Sequence, residues 1–128
     1  MFELILAYHP HRLDETHPLV IQDLLELVEE SKQLCVNKCV QMMADLHQNG
    51  LKSRYLKPLF GAVYELKDRT SQGGARIYFI VDNKNQFYIS HAECKTESEA
   101  SRWMLAECAQ IVQALETNQP ILPKPRSA

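Results

Sequence analysis

The spacing of apolar residues changes character several times along the chain, and each change marks an element. Met1 to Tyr8 is a short apolar run closed by His9-Pro10, which predicts a first strand or an extended lead-in. Pro18 suits a first helical position. After it, Leu24, Leu25, Leu27 and Val28 give a broad apolar face through Glu30, predicting a first helix. Between Lys32 and Asn49 the positions Cys35, Val36, Cys39, Val40, Met43 and Leu46 recur at helical spacing, and Asn49-Gly50 supplies the stop. The two helices are expected to pack as a hairpin.

Beyond Gly50 the period falls to two. Arg54 to Leu59 reads as a short edge strand ended by Pro58 and Gly61. Ala62 to Asp68, Ala75 to Asp82 and Gln86 to Ala92 read as an antiparallel meander, with turns at Gly73-Gly74 and at Asp82-Asn83-Lys84-Asn85. Thr96-Glu97-Ser98-Glu99 has the form of a capping box. It precedes a stripe of Ala100, Trp103, Met104, Cys108, Ile111, Val112 and Leu115, which predicts a C-terminal helix. Residues 119–128, with Pro120, Pro123 and Pro125, are expected to form a loose tail behind a single domain of residues 1–118. The fold class is therefore α+β: an N-terminal strand, a helical hairpin, an antiparallel sheet and a closing helix.

Alternation also assigns faces. Ile77, Phe79 and Val81 share one side of their strand, while Arg76, Tyr78 and Ile80 take the other; Tyr64 and Leu66 point inward, leaving Val63, Glu65 and Lys67 on an open face. Arg76 and Lys67 can then share one surface, either as a solvated cross-strand pair or as a site for an anion.

Charge sharpens that choice. The 128 residues carry a net −2, but residues 1–51 hold −5, residues 52–76 hold +4 and residues 77–128 hold −1. An anion-binding surface is expected from the middle segment. No run approaches the roughly 20 apolar residues that span a bilayer, and no signal-like leader is present, so a cytoplasmic location without membrane contact is expected. Cys35, Cys39, Cys94 and Cys108 are expected to be reduced thiols. The Cys35–Cys39 pair lacks metal-site spacing, so neither a metal nor a cofactor is expected.

Four stretches carry a resemblance: Tyr55-Leu56-Lys57-Pro58-Leu59, Val63-Tyr64-Glu65-Leu66-Lys67, Gly73-Gly74-Ala75-Arg76-Ile77-Tyr78-Phe79, and Ile89-Ser90-His91 with Cys94-Lys95-Thr96. In this order they resemble the RelE/ParE toxin superfamily, within it the phage-derived HigB-like branch, over about Leu19 to Leu115. The resemblance implies a RelE-like fold and a type II toxin of a toxin–antitoxin pair. Such a toxin is a ribosome-associated endoribonuclease that cleaves mRNA without metal through attack by the ribose 2′-OH, with a helix-turn-helix antitoxin as partner. The sister possibilities are a ParE-like gyrase poison or a degenerate interaction domain of the same fold. The sequence departs from the pattern in its acidic balance, in Lys67 where the family has Arg, and in Cys94 and Ser98-Glu99-Ala100 where it has lysine and a closing K-T-P.

Cleavage of this kind needs a base, an acid, and cations where charge grows on phosphorus. Arg76 is the first candidate cation, its planar fork suiting phosphate; Lys67 and Lys57 would add charge beside it. His91 could transfer protons near neutral pH, or could be a hydrogen-bonded core residue. Lys95 could contact phosphate or simply be solvated, Tyr78 could stack a base or pack beneath a turn, and Arg54 and Arg69 would make backbone contacts. His9, His11 and His17 form no catalytic spacing.

Overall fold

The computed structural model describes residues 1–97 and 99–124. The elements run β1 (Leu4–Leu6), α1 (Leu19–Glu29), α2 (Gln33–Asn49), β2 (Leu56–Phe60), β3 (Val63–Thr70), β4 (Gly73–Val81), β5 (Phe87–Lys95) and α3 (Arg102–Glu116). The α+β class and the order of elements follow the apolar pattern.

The five strands form one sheet in the order β1-β5-β4-β3-β2. The meander β2 to β5 is antiparallel, as alternation predicts, and β1 adds in parallel to β5 through Leu4–Phe87 and Leu6–Ile89. The β3–β4 turn sits two residues earlier than the glycines suggest. Thr70 pairs with Gly73, so Ser71-Gln72 make the turn and Gly73, at φ +136°, takes the conformation that side chains resist. Gly50, at φ +55°, ends α2 as expected, with its N–H on the Leu46 carbonyl.

Both faces of the sheet are covered. Leu24, Leu27, Val36, Cys39, Met42 and Leu46 of the hairpin pack on Leu66, Ile77, Phe79, Phe87 and Ile89. On the opposite face, Met104, Cys108, Ile111 and Ala114 of α3 pack on Val63, Tyr78, Ile80 and Tyr88. The expected open face is therefore corrected: α3 lies on it, and Val63 and Glu65 are buried. Alternation alone could not show this, because it gives parity and not what covers each side.

Three local expectations also change. The helix after β5 starts at Arg102, with Ser101 as its cap residue, and not at the Thr96 capping box, of which Ser98 lies outside the described residues. Its first turn is held instead by Glu93 of β5, whose carboxylate accepts from the Ser101 N–H at 3.1 Å and the Ser101 hydroxyl at 2.5 Å. Trp103 is exposed rather than part of the core stripe. The expected tail is tied down at Ile121, which is buried and accepts the Tyr8 N–H at 2.8 Å; Pro125 lies outside the described residues.

The thiol expectation is corrected as well. Cys35 and Cys94 are joined as a disulfide between α2 and β5, while Cys39 and Cys108 are free and buried. The sequence argument tested only the i,i+4 pair and had no means of seeing that β5 returns beside the first turn of α2.

Candidate nucleic-acid interface

On the α3 face, residues 65, 67 and 69 of β3, 74, 76 and 78 of β4, and 93 and 95 of β5 share parity. Apolar residues fill this face where α3 lies on it. Toward the β3–β4 turn it becomes cationic, and there a hollow of about 520 Å³ opens, lined by Lys67, Arg69, Arg76, Lys95, Glu97 and the turn. Four cations face one carboxylate in its lining. The basic middle segment of the sequence thus supplies three of the four, and β5 brings the fourth.

Arg76 is the floor of this hollow and not a projecting side chain. It is 1% exposed, donates from Nη2 to the Glu97 carbonyl at 2.9 Å, and lies with Nη1 3.8 Å from Glu65 Oε2. Glu65 is equally buried. Burial raises its carboxyl above the ordinary range, against the pull of Arg76, Lys57 and Lys67. Tyr78, beside Arg76 on β4, donates its hydroxyl to Glu93 Oε2, and burial followed by that bond pushes its ionisation well up. Tyr78 is therefore a neutral packed donor, and base stacking by it is not open in this arrangement. Buried Glu65, Arg76, Tyr78 and Glu93, with half-buried Ser101, make one polar chain that joins three strands to the start of α3.

The other candidates divide by position. Lys67 stands directly across from Arg76 and Arg69 across from Gly74, both on the hollow. Lys95 reaches Ser101 Oγ at 3.4 Å and Glu97 Oε2 at 3.8 Å from the opposite wall. Lys57 is exposed across from Glu65 on the same face but does not line the hollow. Arg54 lies elsewhere, over the Tyr55 ring at 4.8 Å and bonded to its hydroxyl at 2.6 Å.

His91 is 2% exposed and does not line the hollow. Its Nδ1 lies 2.7 Å from Asp23 Oδ2 of α1 and its Nε2 2.8 Å from Glu107 Oε1 of α3, with Trp103 edge-on at 5.0 Å. Burial alone would lower its pKa; the hydrogen bonds and charges of Asp23 and Glu107 outweigh that and raise it above 6.5. The same contacts, with Arg12 at 2.7 Å, hold Glu107 below the ordinary carboxyl range despite burial. With a carboxylate oxygen at each ring nitrogen, His91 is a clamp between two helices that favours the imidazolium form. A β-bulge places it: Tyr78 pairs with His91 but Phe79 with Ile89, and the extra residue, Ser90, turns to the Tyr78 carbonyl and Cys108. His9 joins the same cluster through Glu107, whose Oε2 lies 3.7 Å from its Nε2, and that nitrogen also lies 2.6 Å from Gln110 Oε1.

A model of the phage-derived Gp49-like protein family matches residues 22–116, from α1 through the last residue of α3. The chain belongs to that family. The matched span of this Gp49-like chain includes every side chain of the hollow and leaves out β1 and the residues after α3. Among curated proteins, none matches it significantly.

Sequence reasoning missed Glu65, Glu93, Asp23 and Glu107, the carboxylates that hold Arg76, Tyr78 and His91. Glu65 carried a usable signal, since it shares parity with Lys67 one pair away. Asp23 and Glu107 carried none, because their meeting at His91 depends on helix packing and on the bulge.

Proposed function

We propose that this Gp49-like protein is the toxin of a type II toxin–antitoxin pair, of RelE/ParE type and HigB-like, and that it binds RNA phosphates in the hollow at the β3–β4 end of its sheet. The hollow itself carries the reading: four cations converge from three strands in an otherwise acidic chain. Phosphate is the anion such a fork-and-ammonium set suits. Lys67, Arg69 and Lys95 are the solvent-accessible cations that would meet charge growing on the scissile phosphate, Lys57 extends the track, and Arg76 is the buried charge beneath them. Proton transfer in this reading does not run through His91, whose ring nitrogens both face carboxylates outside the hollow. A helix-turn-helix antitoxin and the ribosome are the proposed partners.

Expression followed by sequencing of cellular RNA tests it. Cut mRNA is expected, with cutting reduced on the order of 10² by Lys67→Ala with Lys95→Ala in a protein that still folds. Intact mRNA with DNA-damage signalling would instead select the ParE-like gyrase reading. That alternative draws support from one observation: both Arg76 and His91 face internal carboxylates.

A further inference from the structure

Cys35, in the first turn of α2, and Cys94, next to last in β5, are bridged across 59 residues with Cα atoms 6.0 Å apart, within the usual span of a disulfide. The surroundings of this bond are the wall of the hollow. The Cys94 sulfur lies 3.3 Å from the Gln72 carbonyl, and a Cβ on Gly73 would come within 2.9 Å of it. The Cys35 sulfur lies 3.3 Å from Thr70 Oγ1 and 3.7 Å from the Gly73 carbonyl. Thr70, Gln72, Gly73 and Lys95, the chain neighbour of Cys94, all line the hollow. Behind the wall, the Gln72 side chain takes the Leu34 N–H at 2.7 Å and donates to the Ser31 carbonyl at 3.0 Å. The turn is thus fastened to the α1–α2 corner by hydrogen bonds, and the end of β5 packed against it is fastened to α2 by one covalent bond.

We propose that the Cys35–Cys94 bond is a redox-controlled fastener of the cationic hollow: closed, it fixes the β3–β4 turn and Lys95 in place to receive an anion; open, it lets them move and weakens binding. The control of affinity rests on the reading of the hollow as a phosphate site. The bond forms by exchange with a small-molecule disulfide. One thiolate attacks it to give a mixed disulfide, the second displaces the remaining small thiol, and two protein thiols become one disulfide as one small disulfide becomes two thiols. A dithiol reductant reverses both steps. Cys39 and Cys108 do not compete, since burial first of all pushes each thiol up to about 12 and leaves no thiolate to attack. Pre-ordering the wall removes an ordering cost from binding, which sets the direction of the effect.

The test compares full-length protein treated with oxidised glutathione, the same protein reduced with dithiothreitol, and the Cys35→Ser, Cys94→Ser double variant. Denatured oxidised protein should show two titratable thiols, those of Cys39 and Cys108. Amide exchange at residues 70–74 and 94–95 should speed up on the order of tenfold on reduction. A single-stranded RNA oligonucleotide should bind the oxidised form about fivefold tighter, and the double variant should match the reduced form and ignore dithiothreitol. Four thiols after oxidation, or exchange and RNA affinity that do not respond to reduction, would overturn the fastener. RNA that binds no form at all, with exchange still responding, would overturn the phosphate reading and with it the control of affinity.

Discussion

Removing Arg76 is the obvious test of the hollow, and the structure predicts that the simple version will mislead. Arg76→Ala takes the countercharge from Glu65, itself 1% exposed, and deletes the bond to the Glu97 carbonyl. Breaking a buried pair by losing one partner costs about 3–5 kcal/mol. The 3.8 Å separation is beyond hydrogen-bond reach, which places the expected loss near the lower end, about 3 kcal/mol. That is a large share of the roughly 5–15 kcal/mol that holds a domain folded. An inactive Arg76→Ala protein would therefore say little about chemistry. Glu65→Gln removes the stranded charge, so Arg76→Ala made in that background should cost about 1–2 kcal/mol less, a coupling within the range of contacting residues. Urea unfolding of the four proteins in the cycle measures it. Additivity within about 0.5 kcal/mol would refute the pairing. If the double variant folds like its parent and still fails to bind RNA, Arg76 contributes to binding directly; if it binds normally, Arg76 is a structural ion.

Two further outcomes follow from the clamp and the turn. His91 is held above its ordinary 6.5 by Asp23 and Glu107, so the folded state binds this proton more tightly than the unfolded chain does. The contribution of the clamp is complete below about pH 6.5 and is lost as pH rises through the folded-state value; urea midpoints should fall over that rise and flatten in Asp23→Asn, and a level profile in the parent protein would count against the imidazolium. Gly73→Ala should destabilise by more than about 1 kcal/mol, because alanine is strained at φ +136° and its Cβ meets the Cys94 sulfur and the Lys95 carbonyl. Calorimetry checks this, and an unchanged melting temperature would mean that the turn relaxes freely.

The fold was readable where periodicity is strong. Residues 33 to 49 announce α2, down to the glycine that ends it, and the alternation in Ala75 to Val81 assigns every side chain of β4 to the correct side. What periodicity cannot carry is long-range placement. The position of α3 on the Arg76 face, the parallel pairing of β1, and the Cys35–Cys94 bond all join residues far apart in sequence. The start of α3 is the clearest local failure: Thr96 to Glu99 has the letters of a capping box, yet the carboxylate that holds the helix comes from Glu93 in the preceding strand.

The site was half legible for a related reason. A charge count over residues 52–76 pointed to the segment that supplies Lys67, Arg69 and Arg76 to the hollow, because net charge survives ignorance of packing. It could not separate charges that face solvent from charges answered inside the fold. Arg76 and His91 looked like the most reactive candidates because of what a guanidinium and an imidazole can do, but each is buried against carboxylates. The less distinctive Lys67, Arg69 and Lys95 line the hollow, and among the described residues their one ion pair is that of Lys95 with the exposed Glu97. An ion already balanced in a low-dielectric interior has little field left for a ligand, whereas cations in partial contact with water lose only hydration when a phosphate arrives. On that ground the lysines and Arg69 should govern the salt dependence of RNA binding, and Arg76 should govern whether the surface that presents them keeps its shape.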